Sequence, residues 1–188
     1  MNSLCTSPLR RFDGTVIIGV NAGALAVTID QLKKNTLGWA IIHARIILGY
    51  LYTHPGTLAG VHAIIPNPGR PVPYGQGMRP HHPALVIQQA LEQDERSLPF
   101  VLDPPLIEKT AATGKMRETR SIGERTALGQ TVYEVLRVPD PGRVVSRTIM
   151  LYDDVFTSGT TLNAVARRLK EAGAARVIGL ALARQPRW

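Results

Sequence analysis

The spacing of apolar residues divides the chain into alternating helical and extended segments. Apolar positions that recur every three or four residues, with a proline in one first turn, predict helices at 23–38, 37–52, 83–93 and 161–172. Short apolar or alternating runs predict strands at 61–65, 98–102, 131–138, 147–152 and 177–183. The final strand, loop, helix and strand indicate parallel pairing, because a crossover helix joins two strands of one sheet. We therefore expect an α/β fold with a mostly parallel central sheet flanked by helices.

Composition fits one folded domain over residues 1–188. Hydrophobic residues make up 44% of the chain, which is enough for a core and excludes global disorder. The single cysteine, Cys5, excludes an internal disulfide framework and a multi-cysteine zinc site. With 22 Lys and Arg against 14 Asp and Glu, the net charge is +8. This charge leaves three explanations open: a nucleic-acid partner, an anionic small molecule, or solubility.

Two apolar stretches raise the question of export or membrane insertion. The first, at 16–29, follows a basic pair but is interrupted by Asn21, which favours a folded segment over a signal peptide. The second, at 39–51, contains Arg45 and is too short to span a bilayer. We predict a cytoplasmic protein that does not enter the membrane.

The segment at 149–162 carries the strongest chemical signal. An apolar strand runs into Asp153 and Asp154, and five small residues then lead into a helix: Thr157, Ser158, Gly159, Thr160 and Thr161. Hydroxyls and the N–H groups of a helix N-terminus bind a phosphate dianion, and glycine allows close backbone approach. The carboxylates would repel that phosphate, so they should contact sugar hydroxyls or a metal ion. A sugar phosphate meets both demands, whereas helix capping alone explains only one or two of these residues.

This segment closely resembles the motif with which type I phosphoribosyltransferases bind 5-phosphoribosyl 1-pyrophosphate (PRPP). The resemblance implies the type I phosphoribosyltransferase fold, with a small hood expected from about 1–55 and 66–82. It also implies that Asp153 and Asp154 act in catalysis by binding the ribose 2- and 3-hydroxyls. The 5-phosphate would then be held by the small-residue loop of Thr157, Ser158, Gly159, Thr160 and Thr161.

Two further segments extend the resemblance to the competence-associated ComF branch of these enzymes, without its cysteine-rich zinc module. One is 162–184, and the other is the strand-to-proline passage at 64–68. In type I enzymes the loop after this earlier strand contacts pyrophosphate, which places Asn67, Gly69 and Arg70 there. The basic segment 103–120 takes the place of the flexible loop that closes over PRPP. The resemblance implies that Lys109 binds pyrophosphate and that Lys115 is a candidate catalytic residue. The alternative is that these lysines belong to a solvated basic loop without a functional role.

The implied activity is transfer of a 5-phosphoribosyl group to an unidentified acceptor, expected to be a nitrogenous base, with release of pyrophosphate. The family uses Mg²⁺, here reached only indirectly through Asp153, Asp154 and PRPP, and a homodimer is expected. The alternative is a non-catalytic PRPP- or nucleotide-binding module, or a ComF-like protein acting on single-stranded DNA in DNA uptake. A nucleic-acid partner is not favoured, because the chain has no long basic run and no basic-aromatic stacking platform.

Overall fold

The computed structural model describes residues 8–34, 36–69, 81–113 and 122–186. The elements follow in the order β1 (Gly14–Val20), α1 (Gly23–Lys33), α2 (Trp39–Thr53), β2 (Ala63–Pro66), α3 (His82–Gln93), β3 (Glu108–Lys109), α4 (Ile122–Glu134), β4 (Leu136–Arg137), β5 (Thr148–Phe156), α5 (Thr160–Glu171) and β6 (Arg176–Arg184). Among the described residues, no helix combines the length and apolar character needed to cross a membrane.

Four parallel strands form the central sheet, in the order β1-β6-β5-β2. β5 pairs with β6 from Thr148 opposite Arg176 to Phe156 opposite Arg184, and β2 pairs along the other side of β5. Because all four strands run the same way, their carboxyl ends meet at one edge of the sheet. This edge is where open α/β sheets bind ligands. The predicted α/β class with a parallel central sheet is confirmed.

Helices cover both faces of this sheet and divide the core into two clusters. One face packs against α1, α2 and α3, and the other packs against α4 and α5. Alternate residues of β5 serve the two clusters, since Met150 and Tyr152 join the first whereas Ile149 and Leu151 join the second. A strand that is apolar on both faces is the pattern expected inside a three-layer α/β domain.

Several boundaries differ from the sequence prediction. The apolar stretch 16–29 is divided between β1, which was not predicted, and α1, which ends at Lys33 before the expected position. Residues 14–20, which fall within the expected hood, therefore form an edge strand of the main sheet. The strand predicted at 98–102 is reduced to one bridge between Phe100 and Ile64. Pro99 lacks an N–H group, so it cannot donate to a longer ladder.

The strand predicted at 131–138 is wrong, because α4 occupies this segment as far as Glu134. Only Leu136–Arg137 is extended, and it pairs antiparallel with β3. Val132 is buried in the cluster on the α5 face. Tyr133 lies against two guanidinium groups of α5, 3.8 Å from Arg167 and 4.2 Å from Arg168 measured to the ring centre. These tertiary contacts override the β propensity of the local sequence.

Candidate functional site

The acidic pair lies within β5 itself and not in the loop predicted to follow it, because pairing with β6 continues to Phe156. The Nδ2 of Asn67 donates a hydrogen bond to Oδ2 of Asp153, at 3.1 Å. Oδ2 of Asp154 lies 2.7 Å from the Nζ of Lys33, at the end of α1. The two neighbouring carboxyl groups therefore have different partners: a neutral amide for Asp153 and a cation for Asp154.

The pKa values of the two carboxyl groups are shifted in opposite directions. Burial, followed by the neighbouring charge of Asp154, raises the pKa of Asp153 well above its ordinary value. Burial also acts to raise the pKa of Asp154, but the charge and hydrogen bond of the Lys33 ammonium outweigh it and hold that pKa below the ordinary value. The pair therefore favours one carboxylate, on Asp154, with Asp153 as the site that retains a proton.

The loop after β5 presents a helix N-terminus to the same cavity. Gly159 is the N-cap of α5 and contributes no side-chain cap, with a φ of 82° that other residues rarely adopt. A Cβ at this position would also lie 3.1 Å from the Phe156 ring. The hydroxyls of Ser158 and Thr160 are 2.8 Å apart and hydrogen-bonded. The turn therefore requires glycine at position 159. Because glycine has no side chain, no Gly159 group caps the N–H groups in the first turn of α5.

The five predicted phosphate-binding residues are not equivalent. Thr157, Ser158, Gly159 and Thr161 line the cavity. Thr160 instead directs its methyl group towards α4, where a Cβ on Gly129 would come within 2.6 Å of it. Thr160 therefore supports the loop through its hydroxyl bond to Ser158 and its packing on α4.

The loop after β2 brings a second predicted group to the acidic pair. The N–H of Asn67 donates to the carbonyl of Tyr152 at 2.7 Å, which extends the β2–β5 ladder by one residue. Its Oδ1 is buried and has no hydrogen-bond partner within the described residues. A side chain at Gly69 would overlap the His81 ring. Arg70, the third residue predicted here, lies outside the described residues.

Lys109, predicted to contact pyrophosphate, lies in the described part of the expected flexible loop. It lies in β3, where it pairs with Leu136, and its side chain lines the same cavity as the acidic pair. Its Nζ is 3.5 Å from the hydroxyl oxygen of Thr113. Lys115, the predicted catalytic lysine, lies outside the described residues.

The acidic pair, the β5–α5 loop and Lys109 line a cavity of about 800 Å³ at the carboxyl edge of the sheet. Asn67 and Gly69 line an adjoining cavity of about 370 Å³, which shares Lys109 with the larger one. Four polar residues of the larger cavity were not predicted as site residues: Lys33, His81, Asn21 and Gln185. For Lys33, only the helical spacing from Ala26 and Ile29 indicated the cavity side. Burial lowers the pKa of His81 to about 4, partly opposed by the Asp154 charge, so its ring is neutral at pH 7.

The basic residues of α5 make contacts within the fold. Arg167 and Arg168 pack on Tyr133 and pair with Glu171. Lys170 pairs with Asp13 at 2.8 Å. This part of the +8 charge therefore holds the α4–α5 layer and the start of β1 together, and it does not favour a nucleic-acid surface on α5.

The site offers only a few oxygen ligands to Mg²⁺, which prefers oxygen and retains several waters. No group of three or more His, Cys, Asp or Glu side chains converges in the part of the chain that the structure describes. The Asp153 carboxyl and the unpartnered Oδ1 of Asn67 supply oxygens, whereas Asp154 already holds the Lys33 ammonium. These residues fit an ion that is bound mainly by a phosphorylated ligand, and they do not form a complete cage of their own.

Comparison with known proteins adds no relative to this description. No protein-family model matches the chain, and no curated protein matches it either. The interpretation of the site therefore rests on its residues and geometry.

Proposed function

We propose that the protein is a PRPP-dependent, Mg²⁺-assisted phosphoribosyltransferase that transfers a 5-phosphoribosyl group to a nitrogenous acceptor and releases pyrophosphate. The observation that carries this proposal is the meeting of the acidic pair and the N-terminus of α5 around one cavity, with Asn67 hydrogen-bonded to Asp153 from the adjoining cavity. The type I phosphoribosyltransferase fold, with its hood and its ComF-like relationship, is part of the same proposal.

The β5–α5 connection suits a ligand with both a phosphate and neutral hydroxyls. The N-terminus of α5 and the hydroxyls of Ser158 and Thr161 favour a dianion. The carboxylate of Asp154 and the carboxyl group of Asp153, a few residues earlier, instead suit hydroxyl donors. Ribose 5-phosphate has this arrangement, with its 2- and 3-hydroxyls at one end and its phosphate at the other.

The loop after β2 supports a place for the leaving group. Asn67 and Gly69 follow β2, the neighbour of β5, and line the adjoining cavity. Asn67 contacts Asp153, and Lys109 supplies positive charge to both cavities. In the proposed reaction the bond from C1 to the pyrophosphate oxygen breaks, and a bond from C1 to the acceptor nitrogen forms. Pyrophosphate leaves with the bonding electrons. An acceptor nitrogen that carries a proton releases it to solvent, whereas a pyridine nitrogen carries none and becomes the pyridinium of its nucleotide. The chain contributes positioning and charge stabilisation, without a covalent intermediate on the protein.

Bound Mg²⁺ would neutralise pyrophosphate charge and orient the ribose hydroxyls. The residues of this chain then have separate tasks: Asp153 and Asp154 hold the ribose, and the α5 N-terminus holds its phosphate. Lys33 keeps Asp154 ionised and fixed in place.

Pyrophosphate release from PRPP tests the proposal directly. The purified chain with PRPP and Mg²⁺ is expected to release pyrophosphate in the presence of at least one member of a panel of purine, pyrimidine and pyridine bases, with formation of the matching nucleotide. Binding of PRPP without turnover across the panel would favour a sensor, and salt-sensitive binding of single-stranded DNA without PRPP binding would overturn the proposal.

A further inference from the structure

Two carboxamide side chains form a pair at the carboxyl edge of the sheet, on the side of β1 and β6 and away from β2. Asn21 follows β1 and Gln185 follows β6, and the Nδ2 of Asn21 donates to the Oε1 of Gln185 at 2.7 Å. Their backbones are fixed as well, because the Asn21 N–H donates to the carbonyl of Arg184 and the Gln185 N–H to that of Phe156. Both amides therefore extend from the ends of hydrogen-bonded strands and not from a free loop.

The pair lines the cavity and retains hydrogen-bonding capacity. Oδ1 of Asn21 is buried without a hydrogen-bond partner in the described part of the chain. The bond to Asn21 occupies the carbonyl of Gln185 and leaves the amide Nε2 of Gln185 as a donor. An unpartnered buried carbonyl is unfavourable, so this edge is suited to a ligand that brings an N–H donor.

The strand order places this pair on the opposite side of the ribose site from the pyrophosphate loop. β5, with the acidic pair, lies between β2 on one side and β6 on the other. A displacement at C1 with the acceptor approaching opposite the leaving group therefore brings the acceptor from the β6 side. Ala26, Ile29 and Lys33 of α1 line the wall between the amide pair and Asp154. The seven helical steps from Ala26 to Lys33 correspond to a rise of about 10 Å, which is enough to place one planar ring along this wall.

Charge on the same wall limits the acceptor further. Asp30 also lines the cavity, and its carboxylate is paired with Lys34 within α1. Lys34 offsets the Asp30 charge and Lys33 is bound to Asp154, so each of these lysines already has a carboxylate partner. An acceptor carboxylate beside the amide pair would meet the unpartnered carbonyl of Asn21. An uncharged edge avoids this repulsion.

We infer that Asn21 and Gln185 select the acceptor, and that they select an uncharged ring bearing an N–H beside a carbonyl, as in a lactam or carboxamide. Oδ1 of Asn21 accepts from the ligand N–H, and the Nε2 of Gln185 donates to its carbonyl. This inference rests on the proposed function, since it assigns the acceptor side of the same cavity.

Two matched pairs of compounds test it: nicotinamide against nicotinate, and uracil against orotate. Within each pair the second compound bears the carboxylate. Binding is measured by ligand-observed saturation-transfer NMR, with and without PRPP and Mg²⁺. We expect the uncharged member to bind at least tenfold more tightly in at least one pair. Equal binding, preference for the carboxylates, or no contact with any of the four compounds would overturn the inference.

The variants Asn21→Leu and Gln185→Leu remove the amides at similar side-chain size. Each is expected to abolish the preference for the uncharged compound while PRPP affinity changes less than twofold, which also shows that the variant is folded. Gln88→Leu, on the exposed face of α3, is the matched control and should keep the preference. Unchanged preference in both amide variants would refute the assignment. Absence of PRPP binding by the wild-type chain would instead count against the proposed function, and the bases alone still report on the amide pair.

Discussion

The two ends of the candidate site differ in charge, although one parallel sheet builds both. At the end formed by β5 and β2, two carboxyl groups, the ammonium of Lys33 and the side chain of Lys109 face the cavity. At the end formed by β1 and β6, the amides of Asn21 and Gln185 bond to each other. The difference arises because parallel strands bring all their carboxyl ends to one edge. Asp153 and Asp154 of β5 lie on one side of that edge, and Asn21 and Gln185, which follow β1 and β6, lie on the other.

This difference matches the two partners of the proposed reaction. PRPP and pyrophosphate carry dense negative charge, which requires cations and helix N–H groups as well as carboxylates for the sugar. A neutral acceptor requires directional hydrogen bonds instead. The positive net charge of the chain thus has a local use at one end of the site, and nucleic acid is not needed to explain it.

The two carboxyl groups should differ most clearly in thermal unfolding at pH 7, when the unfolding temperatures of Asp154→Asn and Asp153→Asn are compared with that of wild type. The lowered pKa of Asp154 means that its carboxylate stabilises the fold above its unfolded-state pKa and loses this contribution as the pH falls through the folded pKa. Asp154→Asn also leaves the Lys33 charge unpaired. We expect a loss of about 1–3 kcal/mol, or about 2–4 °C in unfolding temperature per kcal/mol for a chain of this length.

Asp153→Asn is expected to act in the opposite direction. The raised pKa of Asp153 means that its stabilising contribution is complete below the unfolded-state pKa and is lost as the pH rises through the folded pKa. An amide there avoids this loss, so the variant should unfold at a higher temperature than wild type at pH 7 and at the same temperature below about pH 4. Calorimetric melting at both pH values checks the pair. Equal destabilisation by both substitutions would show that the two carboxyl environments do not differ.

A smaller effect is expected from Lys33→Met, compared with Lys34→Met. Both variants remove one positive charge from α1, but Lys33 pairs with Asp154 at 2.7 Å whereas the side chain of Lys34 is 73% exposed and pairs with Asp30. Lys33→Met should weaken PRPP binding roughly tenfold, about 1.4 kcal/mol, and Lys33→Arg should restore most of it. Lys34→Met should leave the affinity within twofold, as measured by isothermal titration. An equal loss of PRPP affinity in both Met variants would show that Lys33 acts only through its positive charge and not through its contact with Asp154.

The sequence predicted the site best where local pattern and chemistry coincide. The apolar strand, the acidic pair and Gly159 form one continuous segment, and the strand, turn and helix follow it directly. Asn67 was also assigned to this site, from the resemblance, and it contacts Asp153 across 86 residues of sequence.

Residues whose roles depend on tertiary packing were not predicted. Lys33 belongs to an ordinary amphipathic helix, and its partner lies on a distant strand. Asn21 and Gln185 become a pair only because β1 and β6 are neighbours in the sheet. The helical state of 131–134 likewise depends on Val132 and Tyr133 packing against the α5 layer, which no local pattern contains.

Isothermal titration of PRPP with Mg²⁺ into the wild-type chain and into the double variant Asp153→Asn, Asp154→Asn tests the central claim most directly. Both amides keep the size of the side chains they replace, and circular dichroism verifies that the fold is intact. We predict saturable, Mg²⁺-dependent binding by wild type and at least a 100-fold loss of affinity in the double variant. Unchanged affinity in the folded double variant, or no binding by wild type, would contradict the assignment of the β5–α5 loop to PRPP.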